Sequence, residues 1–129
     1  MRHLSRRHAA HILIGGALAW SAGTVQAVEV HFQPVADGVY AHEGDTGPRS
    51  ADNEGLNANI GLVVTAAGAV LIDSGATYQS ARQIHDAVKA VTTQPVKWVF
   101  NTGGQDHRWL GNGYFAGQGA EVIAHAAAR

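Results

Sequence analysis

The sequence predicts one mixed α/β domain, because short apolar runs separated by turn residues give way to a strand–helix–strand alternation. Two candidate hairpins come first, and an amphipathic helix between two further apolar runs follows them. A strand, a helix and a second strand in this order form a right-handed crossover in a layered sheet. We therefore predict an α/β (α+β) fold for residues 28–129, with residues 1–27 standing apart from it.

The first half of this domain is rich in predicted strands. Val28–Phe32 and Val39–Ala41 are short extended candidates, separated by the turn Asp37-Gly38, and they predict a hairpin. Ile60–Thr65 and Ala69–Asp73 are β-branched apolar runs, which predict a second hairpin whose strands are buried on both faces. Between the hairpins, residues 43–59 are polar and glycine-rich, and an ordered connection of this length is typical of a functional loop.

The second half alternates between helix and strand. The run from Tyr78 to Val91 carries Ala81, Ile84, Val88 and Val91 at helical spacing, so these side chains lie on one stripe. Val96–Phe100 is the next strand, and the polar loop of residues 101–108 follows it. Sheets of this kind collect their ligands at the carboxyl ends of their strands, so this loop is the candidate site.

The chain after this loop predicts a short helix and one more strand. The helix extends from about Trp109 to Ala116, and the strand covers Glu121 to His125. The segment from Ala126 to Arg129 is typical of the first turn of a helix, and the sequence ends within that turn. We therefore expect the chain to be truncated at its carboxyl end.

Composition excludes several classes of function. Nine basic residues face ten acidic ones, for a formal net charge of −1, so nothing favours a nucleic-acid partner. The chain has no cysteine, which excludes thiolate nucleophiles and cysteine-based zinc sites. Any bound metal must therefore be held by His, Asp, Glu, Asn or Gln side chains.

The amino terminus predicts a signal peptide. Arg2, Arg6 and Arg7 precede an apolar run from Ile12 to Trp20, and small residues end the segment near Ala27. The apolar run is shorter than the roughly 20 residues that cross a bilayer, so we expect no permanent membrane span. Residues 1–27 therefore predict a periplasmic or secreted protein, with the general and twin-arginine export routes both open.

Three landmarks occur in order along the domain. They are Leu71–Gly75, then Val99–Thr102 with Gly111-Asn112, then Gly119–His125. Their order and spacing resemble the first half of the metallo-β-lactamase fold superfamily, over about residues 35–129. The resemblance implies a partial αββα sandwich, its amino-terminal half only, in a chain truncated at the carboxyl end.

A narrower resemblance rests on one string. The sequence from Asn101 to Asn112 is similar to that of the exported quinoprotein relay system zinc metallohydrolases. This similarity implies zinc as the cofactor, an unidentified small-molecule substrate and a periplasmic quinoprotein dehydrogenase as a partner. It also agrees with the predicted signal peptide.

The metal ligands are where this sequence departs from the superfamily, whose His-x-His-x-Asp-His loop binds two zinc ions. A gap-free alignment places Gly103 and Gln105 at the first two histidines, His107 at the aspartate and Arg108 at the last histidine. Glycine has no side chain that coordinates a metal, and arginine is a permanent cation. The first zinc position therefore cannot form as the superfamily builds it.

Candidates for one zinc ion remain. We predict Gln105, Asp106 and His107 as metal ligands, with Asp106 and His107 also catalytic, since they would hold the metal and orient water. If the alignment is shifted by one residue, Asp106 and His107 align with the superfamily's Asp-His pair. The sequence does not decide between the two alignments. The pair is equally consistent with a capped helix start.

Four further residues complete the prediction. Arg108 is a candidate for binding a carboxylate or phosphate, or a simple surface cation. Asp73, Asn101 and Asn112 are structural residues near the site, and Asp73 suits a turn that accepts backbone donors.

Three functional hypotheses follow. The first is a zinc-dependent hydrolase that is active only when full length, since this chain offers at most three ligands. The second is a non-hydrolytic binding or relay protein on the same fold. The third is that residues 28–129 do nothing independently, because half of a sandwich leaves an apolar sheet face open.

Overall fold

The computed structural model describes residues 28–128, so the predicted signal peptide and Arg129 lie outside the described residues. Within that range six strands form one sheet, accompanied by three helices. The strands are β1 (Gln33–Ala36), β2 (Val39–His42), β3 (Ile60–Thr65), β4 (Gly68–Ile72), β5 (Val96–Asn101) and β6 (Glu121–Ala124), and the helices are α1 (Tyr78–Val91), α2 (Asp106–Trp109) and α3 (Asn112–Gly117). None of the helices in residues 28–128 is long and apolar enough to span a membrane.

The strands lie in the sheet in the same order as in the sequence. β1 to β4 pair antiparallel, and β4–β5 and β5–β6 pair parallel. α1 connects the parallel strands β4 and β5, as the sequence predicts. The mixed α/β fold class is therefore confirmed, and the carboxyl ends of β4, β5 and β6 meet at one edge.

The hydrophobic core lies on one face of the sheet. Leu62, Leu71 and Val99 occupy neighbouring positions on β3, β4 and β5 and are fully buried. Helix side chains join them in one cluster: Ala81, Ile84, Val88 and Phe115. The predicted apolar stripe of α1 is therefore the face that covers the sheet.

The other face of the sheet is apolar but only half-buried. Gly61, Ile72 and Phe100 form one row across β3, β4 and β5, and Phe100 is 42% exposed. The prediction that β3 and β4 are buried on both faces is wrong for this part of the chain, because the core cluster covers a single face.

The first predicted strand is also wrong. Val28–Phe32 is not extended into the sheet; instead Val30 is buried in the core and the segment lies beside α1. β1 starts at Gln33, the residue after this segment, and contains Pro34, which an edge strand tolerates because proline lacks an N–H to donate. The hairpin through Asp37-Gly38 is confirmed, with β1 in place of the predicted strand.

Two helices replace the single one predicted from Trp109 to Ala116. α2 ends before Gly111 and α3 begins after it, and the Gly111 N–H donates to the Gly75 carbonyl at 3.0 Å. A Cβ atom at Gly111 would collide with the Ser74 backbone, so this close approach requires glycine. After β6, residues 126–127 form a turn rather than the predicted helical turn.

The predicted helix α1 has the predicted bounds because its first turn is capped. Thr77 precedes the helix, and its side chain accepts a hydrogen bond from the Ser80 N–H at 2.9 Å. The Ser80 hydroxyl in turn accepts from the Thr77 N–H at 3.0 Å. This reciprocal pair satisfies N–H groups that a helix start otherwise leaves open.

Candidate functional site

The loops that follow β4 and β5 come together at the carboxyl edge of the sheet. Asp73, directly after β4, donates its N–H to the Phe100 carbonyl at 2.8 Å. Its backbone is left-handed (φ 63°), a conformation that Asp tolerates better than most residues. This turn points the Asp73 side chain toward the loop of residues 101–108.

The Asp73 carboxylate is the buried centre of this edge. It is 2% exposed and accepts from the Thr102 N–H at 2.8 Å, the Thr102 hydroxyl at 2.6 Å and Arg108 Nη1 at 3.1 Å. As predicted, Asp73 accepts a hydrogen bond from a backbone N–H. That N–H belongs to Thr102 in the next loop and not to the turn that contains Asp73. The Arg108 charge compensates the buried carboxylate, which would otherwise be costly to bury.

The Arg108 guanidinium is held by its contact with Asp73. Its Nη1 donates to both Asp73 and the Thr102 hydroxyl, while its Nε is buried without a hydrogen-bond partner among the described residues. About one third of the side chain is exposed. Arg108, which the sequence predicts as a candidate for binding a carboxylate or phosphate ligand, therefore pairs with the Asp73 carboxylate in this structure.

The space beside Gly103 is filled as well. A Cβ atom at this position would run into Gln105 Oε1 and lie 3.2 Å from Arg108 Cδ. A histidine at position 103 would therefore require both side chains to move. The residues present do not fit the two-zinc arrangement, because a cation and a glycine occupy two of its ligand positions.

Asp106 and His107 open the short helix α2. Asp106 Oδ1 lies 3.6 Å from His107 Nδ1, and Asp106 Oδ2 lies 2.8 Å from Arg49 Nη1. Gln105 is the residue before the helix, and its side chain makes no capping hydrogen bond. The alternative of Asp106 as a capping residue is wrong, since it lies inside the helix and its carboxylate pairs with Arg49.

These donors suit part of a site for one metal ion. Asp106 offers a hard carboxylate oxygen, His107 an imidazole that is about one quarter exposed, and Gln105 a neutral amide oxygen. Residues 28–128 contain no group of three or more His, Cys, Asp or Glu side chains placed to hold a metal ion. A third strong ligand is therefore missing from this part of the chain.

Asn101 and Asn112 tie the loop to the sheet. Asn112 Nδ2 donates to Asn101 Oδ1 at 2.7 Å, and Asn101 Nδ2 donates to the Arg108 carbonyl at 2.8 Å. The Ser74 hydroxyl donates to Asn112 Oδ1 at 2.8 Å. Both asparagines thus lie where the sequence predicted structural residues, and they fix the backbone that presents residues 105–108.

A small cavity of about 250 Å³ adjoins this network. Asn101, Gly103 and Trp109 line it, together with the end of β6. The Trp109 indole N–H donates to the Gly104 carbonyl at 3.0 Å, which holds the ring at the cavity rim. The cavity thus adjoins Asn101 and Asn112, two of the predicted residues near the site.

Sequence reasoning missed Arg49, Ser74 and Thr102. Ser74 is the second residue after β4 and Thr102 the first after β5, so their positions near strand ends were the available signal. Arg49 comes from the loop of residues 43–59, which the sequence marked as functional without indicating which side chain would reach the site.

The loop of residues 43–59 is ordered around Asn53. This side chain is 4% exposed; its amide donates to Asp45 Oδ2 and to the Pro48 carbonyl, each at 2.9 Å. Its Oδ1 accepts from the Ser50 N–H at 2.9 Å. The pKa of Asp45 is lowered, first by the Gly47 N–H at 3.0 Å and then by Asn53.

No protein-family model matches the sequence. Solved structures do match it. The metallo-β-lactamase FIM-1 from Pseudomonas aeruginosa, in its mono-zinc form, has a TM-score of 0.64 at 22% identity, over 79% of this chain and 44% of that one. A metallo-β-lactamase from Erythrobacter litoralis, with β-mercaptoethanol in its active site, has a TM-score of 0.63 at 24% identity, over 80% and 44%.

A third solved structure also matches the sequence. The Cronobacter sakazakii metallo-β-lactamase with a HARLDQ motif has a TM-score of 0.59 at 24% identity, over 78% of this chain and 34% of that one. The chain therefore has a partial metallo-β-lactamase fold, as its sequence predicts. It spans less than half the length of each of these three structures.

Proposed function

We propose that the chain carries the metal loop of an exported metallo-β-lactamase-fold hydrolase that uses one zinc ion at most. The observation that carries the proposal is the adjacency of Asp106 and His107 at the carboxyl edge of the sheet, beside an Arg108–Asp73 pair that closes the other position. The mono-zinc form of FIM-1, a protein of the same fold, supports a single ion.

The roles of the residues follow from their chemistry. A zinc ion supplies a bound water with a pKa near 7 and polarises the bond to be broken. Asp106 and His107 would hold the ion and orient the water, with Gln105 as a weaker neutral ligand. A catalytic zinc usually has three protein ligands, so further donors come from outside residues 28–128, and the chain alone binds zinc weakly.

Export and partnership belong to the same proposal. Residues 1–27 act as a signal peptide cleaved near Ala27, which delivers the protein to the periplasm or outside the cell. The similarity of Asn101–Asn112 to the quinoprotein relay metallohydrolases supports a periplasmic quinoprotein dehydrogenase as a partner.

Zinc titration followed by histidine NMR tests the proposal. Zinc should perturb the His107 ring signals, and Asp106→Ala should reduce that response. His31→Ala is the control, because His31 lies in the segment beside α1 and its exposed ring pairs with Glu29. An unchanged His107 response in Asp106→Ala would remove the metal assignment.

A second candidate is a binding or relay protein that has lost hydrolysis. It is favoured by the missing three-ligand group within residues 28–128 and by the fixed cation at position 108. An anion would approach the guanidinium nitrogens that Asp73 and Thr102 leave open. Saturable binding of a carboxylated quinone without metal, abolished by Arg108→Ala, would establish this function in place of the first.

A further inference from the structure

A cavity of about 250 Å³ lies between strand β6 and the loop that follows β5, and we call it the β6 cavity. Val122 and Ala124 line it from β6, and Trp109 lines it from the end of α2. Asn101 and Gly103 line it from the end of β5. The β6 cavity therefore opens beside the loop that carries the candidate site.

The walls of the β6 cavity include apolar side chains that the helices leave open. Val122 pairs with Val99, so both residues lie on the face of the sheet that carries the core. Val99 is fully buried, whereas Val122 is 37% exposed, and the Trp109 side of the cavity is similarly open at 41%. Large apolar side chains that stay exposed around a concave surface are typical of a ligand site.

The polar side chains that line the β6 cavity already have partners. Asn112 Nδ2 donates to Asn101 Oδ1 at 2.7 Å, and the Trp109 indole N–H donates to a backbone carbonyl at 3.0 Å. None of the described residues that line the cavity carries a charge. A charged ligand group would therefore lose its water here without gaining a partner, and an apolar group has no such cost.

We propose that the β6 cavity binds an uncharged flat ring of the ligand, packed against the Trp109 indole. A cavity of roughly 150 Å³ is enough for benzene, so the β6 cavity has room for one ring or two fused rings. An aromatic ring also gains from offset or edge-to-face packing on the indole. The inference names a ligand class for the proposed function and rests on that function for the reaction, although ring binding itself needs no metal.

The position of the β6 cavity determines where the rest of such a ligand lies. Gly103 and Trp109 both line the cavity, and residues 104–108 connect them. A ring bound there presents its substituents to this loop, which carries Asp106 and His107. The cavity thereby supplies orientation, which is the contribution that a binding pocket makes beside reacting groups.

Indole is the probe for this proposal, because it is uncharged, flat and made of two fused rings. An indole titration of the full chain, followed by NMR of the Trp109 indole N–H and the Val122 methyl groups, should saturate with a Kd of about 1 mM, as expected for so small a ligand. Nuclear Overhauser effects between indole protons and the Val122 methyl groups should place the probe in the cavity. Benzamidinium, a cationic ring compound, should bind about tenfold more weakly or worse.

Two variants test the place of binding. Ala124→Leu adds side-chain volume inside the cavity and should weaken indole binding by about tenfold or more. Val122→Thr keeps the shape of the wall but exchanges a methyl group for a hydroxyl, and it should weaken binding by about threefold. Ala66→Leu is the matched control, since this exposed turn residue between β3 and β4 lies at the other end of the sheet.

Urea unfolding should give the same stability for all three variants, because the substituted positions are exposed. Indole binding that does not saturate, that lacks contacts to Val122, or that persists unchanged in Ala124→Leu would overturn the proposal. Equal affinity for benzamidinium would overturn the choice of an uncharged ring.

The zinc titration of the proposed function is read independently from His107. A zinc response without indole binding would remove the ligand class and leave the metal assignment. Indole binding without a zinc response would remove the metal assignment and leave the ring site.

Discussion

A buried carboxylate that accepts three hydrogen bonds makes the site sensitive to single residues. Asp73 takes one bond from the backbone, one from a hydroxyl and one from a guanidinium. Its donors lie 29 and 35 residues further along the chain. The contact thus fastens two loops together at the edge where the candidate site lies.

The first prediction concerns this contact. Arg108→Met should lower the free energy of unfolding by about 2–3 kcal/mol, since it leaves a buried carboxylate without its charged partner. Urea denaturation measures the loss. Arg82→Met, on the exposed side of α1, should change stability by less than about 0.5 kcal/mol.

A double-variant cycle separates pairing from simple loss of a side chain. Asp73→Asn removes the charge, so Arg108→Met should cost clearly less in that background. Equal costs in both backgrounds would show that the ion pair contributes nothing to stability.

The second prediction concerns the buried His42 and the half-buried His85, whose pKa values are both lowered from 6.5. Burial is the main cause for His42, and burial followed by the nearby Lys89 charge is the cause for His85. Below about pH 6.5, these two histidines therefore bind protons more readily in the unfolded chain than in the native chain. Stability should be complete above about pH 6.5 and fall as the pH drops below that value, toward the native-state pKa values.

Unfolding free energies at pH 7.5 and 5.5 measure this dependence. His42→Phe and His85→Phe should each reduce the difference between the two pH values, and the double variant should reduce it further. A difference that stays the same in both single variants would assign the pH dependence to other groups.

At the scale of residues, the sequence predicts which residues lie at the carboxyl ends of the strands but not which side chains form pairs. Asp73, Asn101 and residues 105–108 were found because they follow buried strands. The pairing of Arg108 with Asp73, and of Arg49 with Asp106, was not found. Such pairs depend on the path of a loop through space, and the spacing of residues along the chain does not encode that path.

At the scale of elements, α1 depends on its cap. The third prediction is that Thr77→Ala lowers the free energy of unfolding by about 1–2 kcal/mol, because the Ser80 N–H loses its acceptor. Thermal or urea unfolding measures it. Thr93→Ala, an exposed change beyond the end of α1, should have little effect, and similar losses in both variants would show that the cap is not the cause.

Element boundaries followed the sequence where local signals were strong. α1 has its predicted ends, since its periodic stripe and its cap agree. The helix from Trp109 to Ala116 was wrong because the break at Gly111 comes from contact with the backbone after β4, which is distant in sequence. The strand at Val28–Phe32 was wrong because Val30 packs into the core beside α1.

At the scale of the whole molecule, the half-buried face of the sheet is the main liability. Phe100 and Ile72 lie on it, opposite the face that the helices cover. Exposed apolar patches of this kind promote association and dye binding. The sequence predicted an open face of this kind for half of a sandwich.

The fourth prediction is that Phe100→Lys reduces binding of the dye ANS and self-association in sedimentation, with little loss of stability. Phe100 is 42% exposed, so a lysine there stays hydrated. Leu110→Lys, equally exposed but on the linker between α2 and α3, is the control and should leave ANS binding unchanged. Undiminished fluorescence in Phe100→Lys would place the dye elsewhere.

The order of the strands has a consequence for how the chain acquires its structure. Every strand pairs with its neighbour in sequence, so each step of sheet growth closes a loop no longer than one connection. Proteins with such short-range pairing reach the native state faster than those whose first and last strands must meet. The sheet can therefore grow one strand at a time, in the order of the sequence.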